Sequence, residues 1–121
     1  MITKLELNQI FVFGSNEAGR HGKGAAKTAL KWGAEYGIGE GLRGQTYAIP
    51  TKDKNIRTLQ IEKIKPYVGR FLDFADENRM LEFLLTPIGC GLAGYSPKDI
   101  APLFENAPPN VVLPDEFKNI N

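Results

Sequence analysis

At 121 residues the chain has the length of one ordinary domain and is too short for two, so residues 1–121 are read as a single domain. Its 42% hydrophobic and 24% charged residues suit a globular core and argue against a disordered, collagen-like or fibrous chain. Fifteen Lys and Arg against 14 Asp and Glu leave a net charge of +1, so strong non-specific nucleic-acid binding, which needs a basic excess, is not expected.

The longest apolar runs, such as Leu81 to Leu85, are strand-sized and interrupted, and predict no membrane-spanning helix. The opening Met1-Ile2-Thr3-Lys4-Leu5-Glu6 lacks the apolar stretch of a signal peptide, so a cytoplasmic location is expected. A lone Cys90 gives no internal disulfide framework and no cysteine-built metal site, and neither a metal nor another cofactor is expected.

In chain order, the first eight residues leave room for an added edge strand. Ile10-Phe11-Val12-Phe13, ending at Gly14, predicts a buried strand. Residues 24–36 read as a helix with Ala25, Ala26, Ala29, Leu30 and Gly33 on one face and Lys27, Lys31 and Glu35 on the other. Gly37, Gly39, Gly41 and Gly44 mark a flexible connection, and Thr46 to Pro50 a second strand. From Thr58 to about Glu77 the apolar positions recur every three or four residues, predicting a helix that Pro66 either kinks or reopens. Leu81 to Ile88 is apolar enough for the middle of a covered sheet. Ser96 to Phe104 predicts another helix and Asn110 to Leu113 a last strand. Strands alternating with helices predict an α/β layer structure around a mostly parallel sheet.

Two glycine-rich loops follow strands and enter helices, the place where open α/β sheets hold ligands. The first runs from Gly14 through Ser15, Asn16, Gly22 and Gly24 to Ala25 and Ala26. Its glycines allow tight turns and bring backbone N–H groups to a phosphate, and Asn16 suits a ribose hydroxyl. The second comprises Gly89, Cys90, Gly91, Leu92, Ala93, Gly94 and Tyr95. Ser96 is a good N-cap there, with Pro97 at the first helical position and Asp99 at capping-box spacing. Tyr95 is placed to lie flat against a sugar or base.

Gly-Ser-Asn followed by Gly22-Lys23-Gly24-Ala25-Ala26 resembles the first ligand loop of macro domains. Ile88-Gly89-Cys90-Gly91-Leu92-Ala93-Gly94, running into Ala101-Pro102-Leu103-Phe104, resembles their second, diphosphate-gripping loop. The nearest branch is that of small macro domains which remove ADP-ribose from protein carboxylates or DNA bases. These carry a Thr-Lys pair after the intervening strand, matched by Thr51-Lys52. Short phage and bacterial proteins of this kind are similarly compact.

The resemblance implies a three-layer α/β/α sandwich binding ADP-ribose or an ADP-ribosylated macromolecule. Asn16 would touch the distal ribose, Gly22 to Ala26 would close over it, and Gly89 to Tyr95 would wrap the diphosphate. Lys52 would be catalytic, either forming a covalent intermediate with the sugar as an amine or polarising the leaving group as a cation. The chain departs from the carboxylate-directed branch at Ala93, where that branch has an Asp, and no Asp for the adenine amine is matched near the start.

Other residues have plainer readings. His21 is expected to face solvent from the first loop, and Cys90 to lie beneath the second loop as packing, not as a nucleophile. Glu17 and Asp53 are possible helpers of Lys52. Trp32, Phe71, Phe74, Phe83 and Phe104 are expected in the core. The expected function is an ADP-ribosyl hydrolase, because Thr51-Lys52 accompanies the second loop; the alternatives are a module that captures ADP-ribose without turnover and, behind it, a phosphate-binding domain for another nucleotide.

Overall fold

The computed structural model describes residues 2–118. It is mixed α/β, with five strands in the order β2-β3-β1-β4-β5. The strands are β1 (Gln9–Asn16), β2 (Gly41–Arg43), β3 (Thr46–Lys52), β4 (Glu82–Leu85) and β5 (Val111–Val112). All neighbours pair in parallel except the edge strand β2, which runs antiparallel to β3. Three α-helices accompany them: α1 (Gly24–Ala29), α2 (Ile61–Asp76) and α3 (Pro97–Ile100).

Side chains alternate across a strand, and β1 uses both faces. Ile10 and Val12 join a cluster with Ile64, Val68, Phe71 and Ala75 of α2, while Phe11 and Phe13 join a second with Ala26, Ala29 and Ala34. Phe71 lies edge-on to Tyr47, Phe83 and Phe104, a geometry that suits the ring quadrupoles. Of the expected core aromatics, Phe71, Phe83 and Phe104 are buried, whereas Trp32 and Phe74 are only half-buried against the two clusters.

Several boundaries differ from expectation, each for a local reason. The first helix is short: α1 passes into a 3-10 turn at Leu30–Trp32 and stops at Gly33, whose φ of 115° lies outside the helical region. A Cβ on Gly33 would stand 2.8 Å from the Gly44 Cα, so the chain turns where two glycine backbones touch. The supposed flexible connection contains β2. Gly44, at φ 57°, opens the two-residue turn between β2 and β3, a position that takes glycine in tight hairpins. The edges of the sheet are therefore β2 and β5, and no strand forms among residues 2–8.

Helix α2 begins at Ile61, not Thr58, and runs unbroken through Pro66. Strand β4 ends at Leu85 because Pro87 has no N–H and the Ile88 N–H turns back to the Thr86 carbonyl at 2.7 Å. The last helix stays α-helical only to Ile100; a 3-10 turn at Ala101–Phe104 follows, containing Pro102, which cannot donate an α-helical bond. No helix among the described residues is long and apolar enough to cross a membrane.

The order of the strands also selects a crevice. From β1 the chain leaves toward β2 and β3, whereas from β4 it leaves toward β5 on the other side. Loops that leave adjacent parallel strands in opposite directions open a gap beyond the strand ends, the usual ligand position in such sheets.

Candidate functional site

A cleft of about 580 Å³ lies at that gap, within the usual range for small-molecule sites. The two glycine-rich loops meet there. Ser15, Asn16, Gly22, Gly24, Ala25 and Ala26 line it from the first loop; Gly89, Cys90, Gly91, Leu92 and Ala93 line it from the second. Thr51 and Lys52 complete it from the end of β3.

Consecutive strand residues normally point to opposite faces, yet Thr51 and Lys52 both line the cleft. The β1–β3 ladder explains it: Ser15 pairs with Pro50, but Asn16 pairs with Lys52, so the register skips Thr51. Such irregularities re-aim side chains at sites. The Lys52 carbonyl accepts from the Glu17 N–H at 2.9 Å, and Thr51 Oγ1 donates to the Ser15 carbonyl at 3.4 Å.

Backbone donors are the cleft's main polar resource. Among the described residues, the N–H groups of Gly89, Gly91, Leu92 and Ala93 have no acceptor. Those of Gly24, Ala25 and Ala26 are the first of α1, whose N-cap Lys23 provides no side-chain bond. A Cβ on Gly22, Gly24 or Gly91 would meet no atom within 4 Å. At Gly22 and Gly91 neither packing nor a positive φ requires glycine, and the loop backbone there stays bare.

Among the described residues three cations line the cleft, Arg20, Lys23 and Lys52, and no carboxylate does. Of the potential helpers of Lys52, Glu17 accepts a short bond from the Tyr67 hydroxyl, and that bond pushes Tyr67 up to about 12. Asp53 instead accepts from the N–H groups of Asn55 and Arg57 at 2.8 and 3.0 Å. Among the described residues Lys52 has no ion pair.

Other expected residues are held differently. Asn16 spends its amide on the loop: Nδ2 donates to the Arg20 carbonyl at 2.8 Å and Oδ1 accepts from the Arg20 N–H at 2.9 Å. One Nδ2 hydrogen remains for a ligand. Gly94 and Tyr95 do not line the cleft. Tyr95 packs against the larger core cluster and donates its hydroxyl to the Leu59 carbonyl at 2.6 Å, fixing the loop from below. Cys90 is half-buried, and its thiol is held above the usual range first by burial, then by the negative charges of Asp99 and Glu116.

His21 does not face solvent. It is 0% exposed, edge-on to Phe13, with Nε2 3.1 Å from the Ile38 carbonyl. It pins the first loop to residues 36–39, joined by the Ser15 hydroxyl bonded to the Gly39 carbonyl. Sequence reasoning passed over Arg20 and Ile56 as cleft residues and took Lys23 only as part of Gly22 to Ala26, although two cations inside a glycine-rich loop were a visible signal.

A second groove, about 960 Å³, adjoins the cleft and shares Gly24, Ala25, Thr86 and Pro87 with it. Phe11, Leu84 and Val112 give it apolar walls, with Ile2 and Pro114 nearby. Among the described residues no three His, Cys, Asp or Glu side chains gather as metal ligands. No protein-family model matches the chain, and no curated protein or solved structure matches it.

Proposed function

We propose that the chain is a macro-domain-like three-layer sandwich, a single domain over residues 1–121, that binds ADP-ribose or a related NAD-derived nucleotide. One observation carries this reading: a cleft with Arg20, Lys23 and Lys52, no carboxylate, and unpartnered amides on two opposed loops. A cavity of one charge sign concentrates anions of the other, and preorganised amides suit phosphate oxygens. In this reading the diphosphate lies along Gly89 to Ala93, the base enters the apolar groove over Phe11 and Leu84, and the distal ribose approaches Asn16 and Lys52.

We further propose hydrolysis of ADP-ribose from a modified protein or nucleic acid, with Lys52 at the anomeric carbon. The missing carboxylate bears on how. With Glu17 and Asp53 engaged elsewhere and Ala93 in the second loop, Lys52 acts as a fixed cation on the leaving group, without an acidic partner. The same absence favours a second reading, capture of the nucleotide without turnover, because no carboxylate in the cleft can take a proton from water.

Calorimetric titration with ADP-ribose, with AMP and NAD as controls, tests the nucleotide. Selective ADP-ribose binding is expected; preference for AMP or NAD points to another nucleotide, and no binding to any of the three sinks the reading. Release of ADP-ribose from modified protein or DNA then separates enzyme from module. Turnover by wild type that Lys52→Ala loses while still binding supports hydrolysis; binding without turnover by either leaves the module.

A further inference from the structure

Beyond Lys52 the chain reverses in a tight loop. The Asp53 N–H donates to the Arg57 carbonyl at 2.8 Å, and the Ile56 N–H to the Asp53 carbonyl at 3.1 Å. Lys54, Asn55 and Ile56 lie between the paired residues, and Ile56 has φ 62°. Hairpin loops of this length put a left-handed residue near their end, and glycine is the one that fits there. Among the described residues, Ile56 is the one non-glycine residue with a positive φ. A β-branched side chain is the costliest choice at such a position.

The core does not account for that choice. Ile56 packs against neither hydrophobic cluster and is 38% exposed, yet it lines the cleft. Leu92, 68% exposed and likewise outside both clusters, lines the cleft from the second loop. Their two loops are fastened together. Thr58, two residues after Ile56, donates its hydroxyl to the carbonyl of Ala93, the neighbour of Leu92, at 2.8 Å, and it also bridges to Lys52. Two apolar side chains therefore stand beside Lys52 in a cleft whose polar resources are cations and backbone amides. Backbone strain kept at a cleft, with no gain in the core, points to a ligand contact.

We infer that Ile56 and Leu92 form an apolar subsite that takes the face of the group joined to the distal ribose, and so favour ligands whose attached group is apolar. The inference rests on the reading that the distal ribose reaches Lys52. Arg20, Lys23 and Lys52 attract phosphate whatever the sugar carries, so they give no such selection. An apolar face does, because it gains only when the attached group covers it. Ile56 is then a specificity-determining residue. Asp53 holds it in place, since its carboxylate accepts from the Asn55 and Arg57 N–H groups on either side.

Calorimetry with ADP-ribose and with its 1″-C-methyl and 1″-C-phenyl analogues, whose carbon link resists hydrolysis, tests the subsite. Wild type should bind the phenyl analogue about tenfold more tightly than the methyl one, the gain from covering part of a ring. Ile56→Asn should bring that ratio near one, and Ile56→Val should keep most of it. Because Asn accepts the left-handed conformation, Ile56→Asn should also melt above wild type. A ratio near one in a wild type that binds ADP-ribose overturns the inference and leaves the nucleotide reading in place. A preference that survives Ile56→Asn overturns it too, as does a lowered melting temperature, which would return Ile56 to the fold. Wild type that binds none of the three compounds sinks the nucleotide reading, and the subsite with it.

Discussion

Thr58 and Ala93 are joined across the cleft lip: the Thr58 hydroxyl donates to the Ala93 carbonyl at 2.8 Å. Thr58 also bridges to Lys52 in an antiparallel pair, so one residue links the lysine's strand to the second loop. Thr58→Val keeps the shape and removes the bond. Because Thr58 is exposed, stability should fall by about 1 kcal/mol or less. ADP-ribose affinity should drop severalfold, as the loop loses its tie to the strand carrying Lys52. Thermal unfolding and calorimetry read the two effects separately; a stability loss with unchanged affinity refutes the positioning role.

Two glycines of the second loop should respond in opposite ways. Gly89 has φ 76°, and a Cβ there would stand 3.0 Å from Ile100 Cδ1. Gly89→Ala should cost about 2–3 kcal/mol from the left-handed backbone and the displaced isoleucine. Gly91 has neither constraint, so Gly91→Ala should stay within about 0.5 kcal/mol of wild type. Its new methyl projects where a ligand needs clearance, and affinity should fall tenfold or more. Retained affinity in a stable Gly91→Ala variant would show that the bare backbone serves no ligand.

The meeting of the two loops was legible because glycine-rich turns after strands leave a local mark. The apolar runs of β1 and β3 and the spacing of Ile64, Val68, Phe71 and Ala75 on α2 were equally local. What escaped depends on contacts between distant residues. The end of the first helix is set by Gly33 against Gly44, and β2 exists because Leu42 finds Tyr47. His21 looked like a solvent-facing loop residue, but Phe13 and the Ile38 carbonyl draw it inside. Tyr95 was assigned to the ligand from its place in the loop, whereas its hydroxyl is taken by Leu59, 36 residues away in sequence. The skipped register beside Thr51, which turns Lys52 toward the cleft, has no sequence signature.

Cys90 lines the cleft, yet burial holds its thiol above the ordinary range. It should therefore alkylate slowly at neutral pH, with a midpoint above the value of about 8.5 for a free cysteine. Cys90→Ser should retain ADP-ribose binding and any turnover. An iodoacetamide rate profile with its midpoint below that value would restore Cys90 as a candidate nucleophile.

Asp99 acts on both the helix start and that thiol. Its carboxylate accepts from the Ser96 N–H and hydroxyl, each at 3.0 Å, and these bonds hold it below the usual carboxylate range. A carboxyl group with a depressed folded pKa adds stability that is complete above its unfolded value, near pH 4, and lost as pH falls through the folded one. Asp99→Asn should then melt below wild type by a constant margin from pH 7 to 5, with the margin closing under pH 4. Because the Asp99 charge also raises the Cys90 thiol, the variant's alkylation midpoint should move down. A margin unchanged to pH 2.5, together with an unmoved midpoint, would detach Asp99 from both roles and leave α3 capped by Ser96 and Pro97 alone.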